Sequence, residues 1–218
     1  MAWLGVGWEK SHLKRYTLPL LAAVMIAGGA IPAAQACEGD EVLFEDSFDD
    51  NLCNWPCNPD RGGISEGVFI IKPTAGKSYS SILPTFFFKD ADICLDMEFA
   101  EGEDVEAGLL FWAEDYDNYF QFLIRTNDKF EIYRLKNDEW TKIAIESTGT
   151  AIKPGLDVSN RLRVTLKGNL ATFYVNGNEV HKMRGQKPSG ETKIGLYVGG
   201  ASDTRSARFT EIKVTDVQ

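Results

Sequence analysis

The sequence is short of histidine: of its 218 residues two are histidine, and only His181 lies beyond residue 36. A metal centre built from several imidazoles is therefore excluded, and a Ser-His-Asp triad would have to be assembled around that one ring. His181 itself reads as a surface strand residue. Glycine-rich phosphate cradles are missing too, because Gly62-Gly63 and Gly199-Gly200 lack the lysine and the strand-to-helix setting such a loop needs. Basic residues are outnumbered, 23 Lys and Arg against 32 Asp and Glu, for a formal charge of −9. An acidic chain lacks the positive field that repays phosphate desolvation, which argues against nucleic acid and anionic membrane surfaces as partners. After Ala34 no long apolar run occurs, helical periodicity is scarce, and no internal repeat or low-complexity segment stands out.

What is present begins with a leader. Lys10, Lys14 and Arg15 precede an apolar run over residues 18–34, and Ala34-Gln35-Ala36 has the small-x-small pattern of a signal-peptidase site. Residues 1–36 are thus expected to be a signal peptide. Two glycines and Pro32 interrupt the run, which disfavours a retained membrane anchor. Residues 37–218 suffice for one domain with a sizeable core, and export would make the product secreted or periplasmic, with no membrane association after cleavage. All four cysteines, Cys37, Cys53, Cys57 and Cys94, lie in that part, where an oxidising compartment favours two disulfides. Three connectivities remain open, zinc being disfavoured because only Cys53-x-x-x-Cys57 resembles a chelating pair. Cys37 directly after the cleavage site also leaves lipidation open.

Strand-length runs recur every eight to twelve residues, the pattern of an all-β sandwich or barrel. In the stretch AGLLFWAEDYDNYFQFLIRT, starting at Ala107, alternation puts Leu109, Phe111, Phe120, Phe122 and Ile124 on one face and Trp112, Tyr119, Gln121, Leu123 and Arg125 on the other, with AEDYDN as the turn. Asn176-Gly177 between Phe173-Tyr174-Val175 and Asn178-Glu179-Val180 is a strong hairpin signal, since a type I′ turn needs positive φ at both central residues. With the turn at Lys167-Gly168-Asn169 it predicts a three-stranded meander from Arg161 to Lys182 whose core side is Leu162, Val164, Leu166, Phe173 and Val175. The loop between residues 49 and 65 carries two cysteines, prolines and glycines and reads as an irregular excursion stapled by a disulfide.

The ordered series Glu45-Asp46-Ser47-Phe48 with Trp55, Gly67-Val68-Phe69-Ile70-Ile71, Ala107-Gly108-Leu109-Leu110-Phe111, Asp117-Asn118-Tyr119-Phe120, Phe130-Glu131-Ile132-Tyr133-Arg134 with Trp140, Arg161-Leu162-Arg163-Val164, Phe173 to Gly177, Ile194-Gly195-Leu196 and Ala207-x-Phe209 spans nearly all of residues 37–218. It resembles the concanavalin-A-like jelly roll of laminin-G-like and glucanase-related domains, in particular the secreted bacterial domain associated by name with 3-keto-disaccharide hydrolases. The resemblance implies a two-sheet antiparallel sandwich with a concave face or edge that in relatives binds sugars. Glucanases of this fold present Glu-x-Asp-x-Glu on one strand; here Cys94-Leu95-Asp96-Met97-Glu98 has cysteine at the first position, which speaks against glucanase activity.

Aromatic and polar residues opposite the expected core nominate a sugar platform: a planar ring covers a sugar's C–H face while amides, carboxylates and guanidinium groups bond its hydroxyls. The candidates are Trp112, Gln121, Arg125, Tyr133, Arg163, Tyr174 and Tyr197. Asp96 and Glu98, two apart on one strand, form the candidate carboxylate pair for glycoside hydrolysis. The acidic clusters Glu45, Asp46, Asp49, Asp50 and Asp115, Asp117, Asn118 offer hard oxygen ligands; Asp46 and Asp49 are the candidates for a structural calcium, and no other cofactor is expected. The sequence reads as an exported, non-catalytic carbohydrate-binding β-sandwich. The alternatives are a glycoside hydrolase acting through Asp96 and Glu98, and a protein-binding adhesion or assembly module.

Overall fold

The computed structural model describes residues 1–2, 37–50, 55–185 and 187–217. The chain divides into two compact units, Met1–Ala30 and Ile31–Gln218. The expected signal peptide, beyond its first two residues, and Cys53 lie outside the described residues. All the strands belong to the second unit. Among the described residues no helix is long and apolar enough to cross a membrane.

In chain order the strands are β1 (Val42–Asp46), β2 (Gly62–Ser65), β3 (Val68–Ile71), β4 (Tyr79–Ile82), β5 (Ala91–Glu101), β6 (Val105–Ala113) and β7 (Asn118–Arg125). Then come β8 (Lys129–Lys136), β9 (Glu139–Ser147), β10 (Asn160–Lys167), β11 (Leu170–Val175), β12 (Asn178–Arg184), β13 (Lys193–Gly200) and β14 (Ser206–Thr215). They form two antiparallel sheets. One runs β12-β11-β10-β5-β14-β3-β2, with β1 also paired to β14; the other has six strands in the order β4-β13-β6-β7-β8-β9.

Period-two alternation explains the layers. Ile93, Leu95, Met97 and Phe99 of β5 and Leu162, Val164 and Leu166 of β10 face Leu109, Phe111, Phe120, Phe122 and Ile124 of the second sheet in one continuous core. Phe173 of β11 lies 5.5 Å from Phe111 and 5.0 Å from Phe122, ring centre to ring centre, and closes the gap between the sheets. The meander from β10 to β12 forms as expected, with left-handed φ of 48° at Asn176 and 82° at Gly177. His181 on β12 is half-buried, 6.1 Å from the rings of Phe130 and Phe173.

The N-terminal motif packs as a unit: Phe48, Trp55 and Phe69 stack within 6.1 Å of one another. Asp46 accepts the Phe48 N–H at 2.8 Å and the Trp55 indole N–H at 2.9 Å, while Asp49 accepts the Ser47 hydroxyl at 2.7 Å. Both proposed calcium ligands thus serve their own turn. A disulfide joins Cys37 to Cys94, and Cys57 is disulfide-bonded as well.

One expectation from alternation fails. Trp112 is 1% exposed and belongs to the inter-sheet core, its ring 5.5 Å from Phe111 and 5.3 Å from Phe120. The cause is a bulge: β13 pairs Lys193 with Ala113 and Gly195 with Leu110, so Phe111 and Trp112 together oppose Ile194, and Trp112 takes φ of 46°. An inserted left-handed residue resets the parity of the strand, and two consecutive rings point inward.

Candidate functional site

The outer face of the six-stranded sheet carries the residues that alternation leaves over from the core. Cross-strand pairing aligns Ile82, Gly195, Leu110, Gln121, Tyr133 and Lys142 in one row and Ser80, Tyr197, Gly108, Leu123, Glu131 and Ile145 in the next. Ile82, Leu110, Tyr119, Leu123, Leu135 and Tyr197 form an apolar cluster on this face, separate from the main core. Four of the seven sugar-platform candidates, Gln121, Arg125, Tyr133 and Tyr197, meet here.

The face has two halves. Toward β9, Trp140 is 51% exposed and is braced edge-on by Tyr119 at 5.9 Å and Tyr133 at 6.1 Å. Desolvation lifts the Tyr119 phenol to about 12, with the Asp117 carboxylate adding to it, and raises Tyr133 as well, so both hydroxyls remain donors at neutral pH. Toward β6, Arg125 binds Glu131 at 2.6 Å, Asp104 at 2.7 Å and Glu106 at 3.2 Å. Burial opposes the charge on Arg125, but the bonds to Glu131 and Asp104 outweigh it and hold the guanidinium protonated. Glu106 is shifted upward, first by burial and then by the negative charge of Glu131, with Arg125 and the Tyr197 hydroxyl only partly offsetting them. That hydroxyl sits 3.2 Å from Glu106, and burial raises its own pKa. Glu106, Arg125 and Tyr197 also line a cavity of about 330 Å³ beside residues 76–78. Gln121 lies between the halves, 4% exposed, and its Oε1 has no hydrogen-bond partner.

Trp140, Glu106 and Glu131 were not among the residues nominated from sequence. A tryptophan in the polar run Glu139-Trp140-Thr141-Lys142 is a signal for exposure that could have been used. The carboxylates could not have been found that way, because their meeting depends on Arg125 reaching from β7 to both neighbouring strands.

The remaining candidates lie elsewhere. Asp92, Cys94, Asp96 and Glu98 project from the outer face of the other sheet, where Asp96 receives a bidentate grip from Arg161, whose Nε lies at 2.6 Å. Glu98 is 3.9 Å from Arg208. Arg163, 4% exposed, bonds Asp92 at 2.8 Å and Glu38 at 2.8 Å and lies 4.9 Å over the Tyr174 ring. These residues form an ion-paired layer beside the Cys37–Cys94 disulfide. Among the described residues Cys37, Asp92 and Cys94 are the one group of three such donors close enough for a metal ion, and both sulfurs are consumed by the disulfide. The sequence-nominated residues are therefore split between two faces and the core.

No family model matches the sequence, and no curated protein does. Solved structures do match. The carbohydrate-binding module CBM66 from Bacillus subtilis is 15% identical with a TM-score of 0.52, over 72% of this chain and 89% of that one. The Bacillus licheniformis beta-glucanase is 13% identical with a TM-score of 0.61, over 80% and 98%. The carbohydrate recognition domain of Emp47p is 15% identical with a TM-score of 0.62, over 82% and 98%. The fold is the concanavalin-A-like jelly roll. A jelly roll at these identities fixes the architecture alone, and the function has to be argued from the site.

Proposed function

We propose that this jelly roll binds a neutral glycan across the outer face of its six-stranded sheet. The observation that carries the reading is the exposed Trp140 ring, held by Tyr119 and Tyr133, beside Gln121 and the Glu106–Arg125–Glu131 cluster. An exposed ring covers a sugar's C–H surface, and carboxylates accept bonds from its hydroxyls without meeting another charge. Structural neighbours named as a binding module and a recognition domain for carbohydrate support it, and the disulfides fit an exported protein in an oxidising compartment.

Titration with neutral oligosaccharides tests the reading. Trp140→Ala should weaken binding at least tenfold, about 1.4 kcal/mol, with an unchanged melting temperature because the ring is half-exposed. Absence of binding at millimolar sugar, or a Trp140→Ala variant that binds like the parent, overturns it. A hydrolytic reading is favoured by one observation on this same face: Glu106, with its raised pKa, shares the Arg125 Nη1 with Glu131. Glu106 would be the proton donor, with the buried Glu131 helping to hold its pKa up. New reducing ends in those titrations, absent with Glu106→Gln, separate it from binding alone.

A further inference from the structure

A cavity of about 280 Å³ opens at the turn end of the β6–β7 hairpin, away from the charged half of the outer face. Its walls include Trp112, Glu114, Asn118, Arg134, Lys136 and Lys187. With Lys187 set against Asp90, Arg134 and Lys136 still outnumber the one carboxylate of the wall, the reverse of the chain as a whole, whose formal charge is −9. A local positive field in an acidic protein is not a by-product of composition.

Each cation is held differently. The Arg134 guanidinium lies 5.3 Å over the Phe120 ring, which fixes its plane. Lys187 is anchored to Asp90 at 2.6 Å. Lys136 forms no ion pair among the described residues. Trp112 adds a second, independent feature. Its indole Nε1 is buried with no hydrogen-bond partner, and its backbone is left-handed, which a bulky side chain adopts rarely. Gly185 runs directly against that ring, since a Cβ there would come within 2.3 Å of Trp112 Cζ3. The bulge accounts for the backbone, but the unused buried donor on a cavity wall is the mark of a site kept for a ligand.

We propose that this cavity is a second sugar subsite selective for an anionic residue, its oxyanion held by Arg134 and Lys136 and its hydroxyls facing Glu114 and Asn118. A planar guanidinium matches a carboxylate or sulfate with two parallel hydrogen bonds, and the cavity has room for about one ring. Tyr119, which braces Trp140, also lines this cavity, so the two sites adjoin, while the charged groups and the Trp112 indole belong to the cavity.

The test compares methyl β-D-glucuronide with methyl β-D-glucoside, which differ only at the acidic group, with glucose 6-sulfate to separate carboxylate from sulfate ester and sodium sulfate to report a bare anion. Binding is followed by calorimetry and by the ¹H–¹⁵N resonance of the Trp112 indole. The glucuronide or the sulfated sugar should bind at least tenfold more tightly than the glucoside, more weakly as salt rises, and should move the indole resonance. Lys136→Gln and Arg134→Gln should each lose about tenfold in affinity for the charged sugar. Equal binding of glucoside and glucuronide, sulfate ion binding as tightly as either charged sugar, or an indole resonance unmoved at tens of millimolar ligand overturns the proposal. If Arg134→Gln unfolds the protein, the solvent-facing Lys136→Gln variant decides it.

Discussion

At the scale of single residues, Glu106 is the clearest case of a side chain held against its own preference. Burial comes first and Glu131 second in pushing its pKa upward from the ordinary carboxyl value of 4.5. A carboxyl whose folded pKa is raised binds its proton more tightly in the native state, so its contribution is most favourable below 4.5 and is lost as pH climbs through the raised value. At neutral pH the native protein bears that cost, and Glu106→Gln removes it. The variant should melt higher than the parent at pH 7, with the difference shrinking toward pH 4; thermal melts across that range check it, and a gain independent of pH would mean that the charge is not the cause. Trp112 shows where reading residues one at a time stops. The faces of Leu109, Phe111, Phe120 and Phe122 were legible from alternation, but one bulge turned the next residue inward. A bulge depends on the partner strand, here Ile194 lying opposite two residues, and β13 is some eighty residues away in sequence.

Elements whose geometry is local were legible in full. The β11–β12 turn needs two left-handed residues in a row, and Asn-Gly supplies them at least cost. What sequence did not disclose is that Asn176 also ties the turn to its surroundings. Its amide donates to the Ala151 carbonyl and to Asn160 Oδ1, both at 2.8 Å, and accepts the Arg161 N–H at 2.9 Å. Asn160 is fully buried, and its Oδ1 accepts the Lys153 N–H at 2.8 Å as well. Asn176→Gly keeps the backbone conformation and removes the side chain's bonds, which should cost about 1 to 3 kcal/mol for the partners left unsatisfied. Gly177→Ala keeps the bonds and strains the left-handed residue, about 1 to 2 kcal/mol. Denaturant unfolding of the two variants apportions the turn; an unchanged midpoint for Asn176→Gly would show that water replaces the lost bonds.

The whole molecule sorts its chemistry by sheet, which no local pattern reveals. Alternation tells which residues of a strand share a face, but the order β10-β5-β14 in one sheet and β6-β7-β8 in the other decides which strands' faces join. Hence Arg163 and Tyr174 fell beside Asp92 and the disulfide, while Gln121, Arg125, Tyr133 and Tyr197 gathered on the opposite side. The Cys37–Cys94 link ties the segment ahead of β1 to β5 at the centre of its sheet, closing a sequence separation of 57 residues. Around it Glu38 reaches Arg163, and the Glu38 backbone N–H bonds Asp92 at 2.8 Å, so the staple also holds an ion-paired layer in register. In the chain-entropy account a loop of this size is worth about 4 kcal/mol, or roughly 10 °C in melting temperature for a domain of this length. Replacing both cysteines by serine isolates this bridge from the one at Cys57, and calorimetry should show a loss of that order. Because the sugar platform lies on the other sheet, glycan affinity at 25 °C should stay at the parental value. A variant that melts like the parent would mean that the denatured chain is already constrained without the bridge, and one that melts lower but also loses glycan binding would mean that the two sheets are coupled.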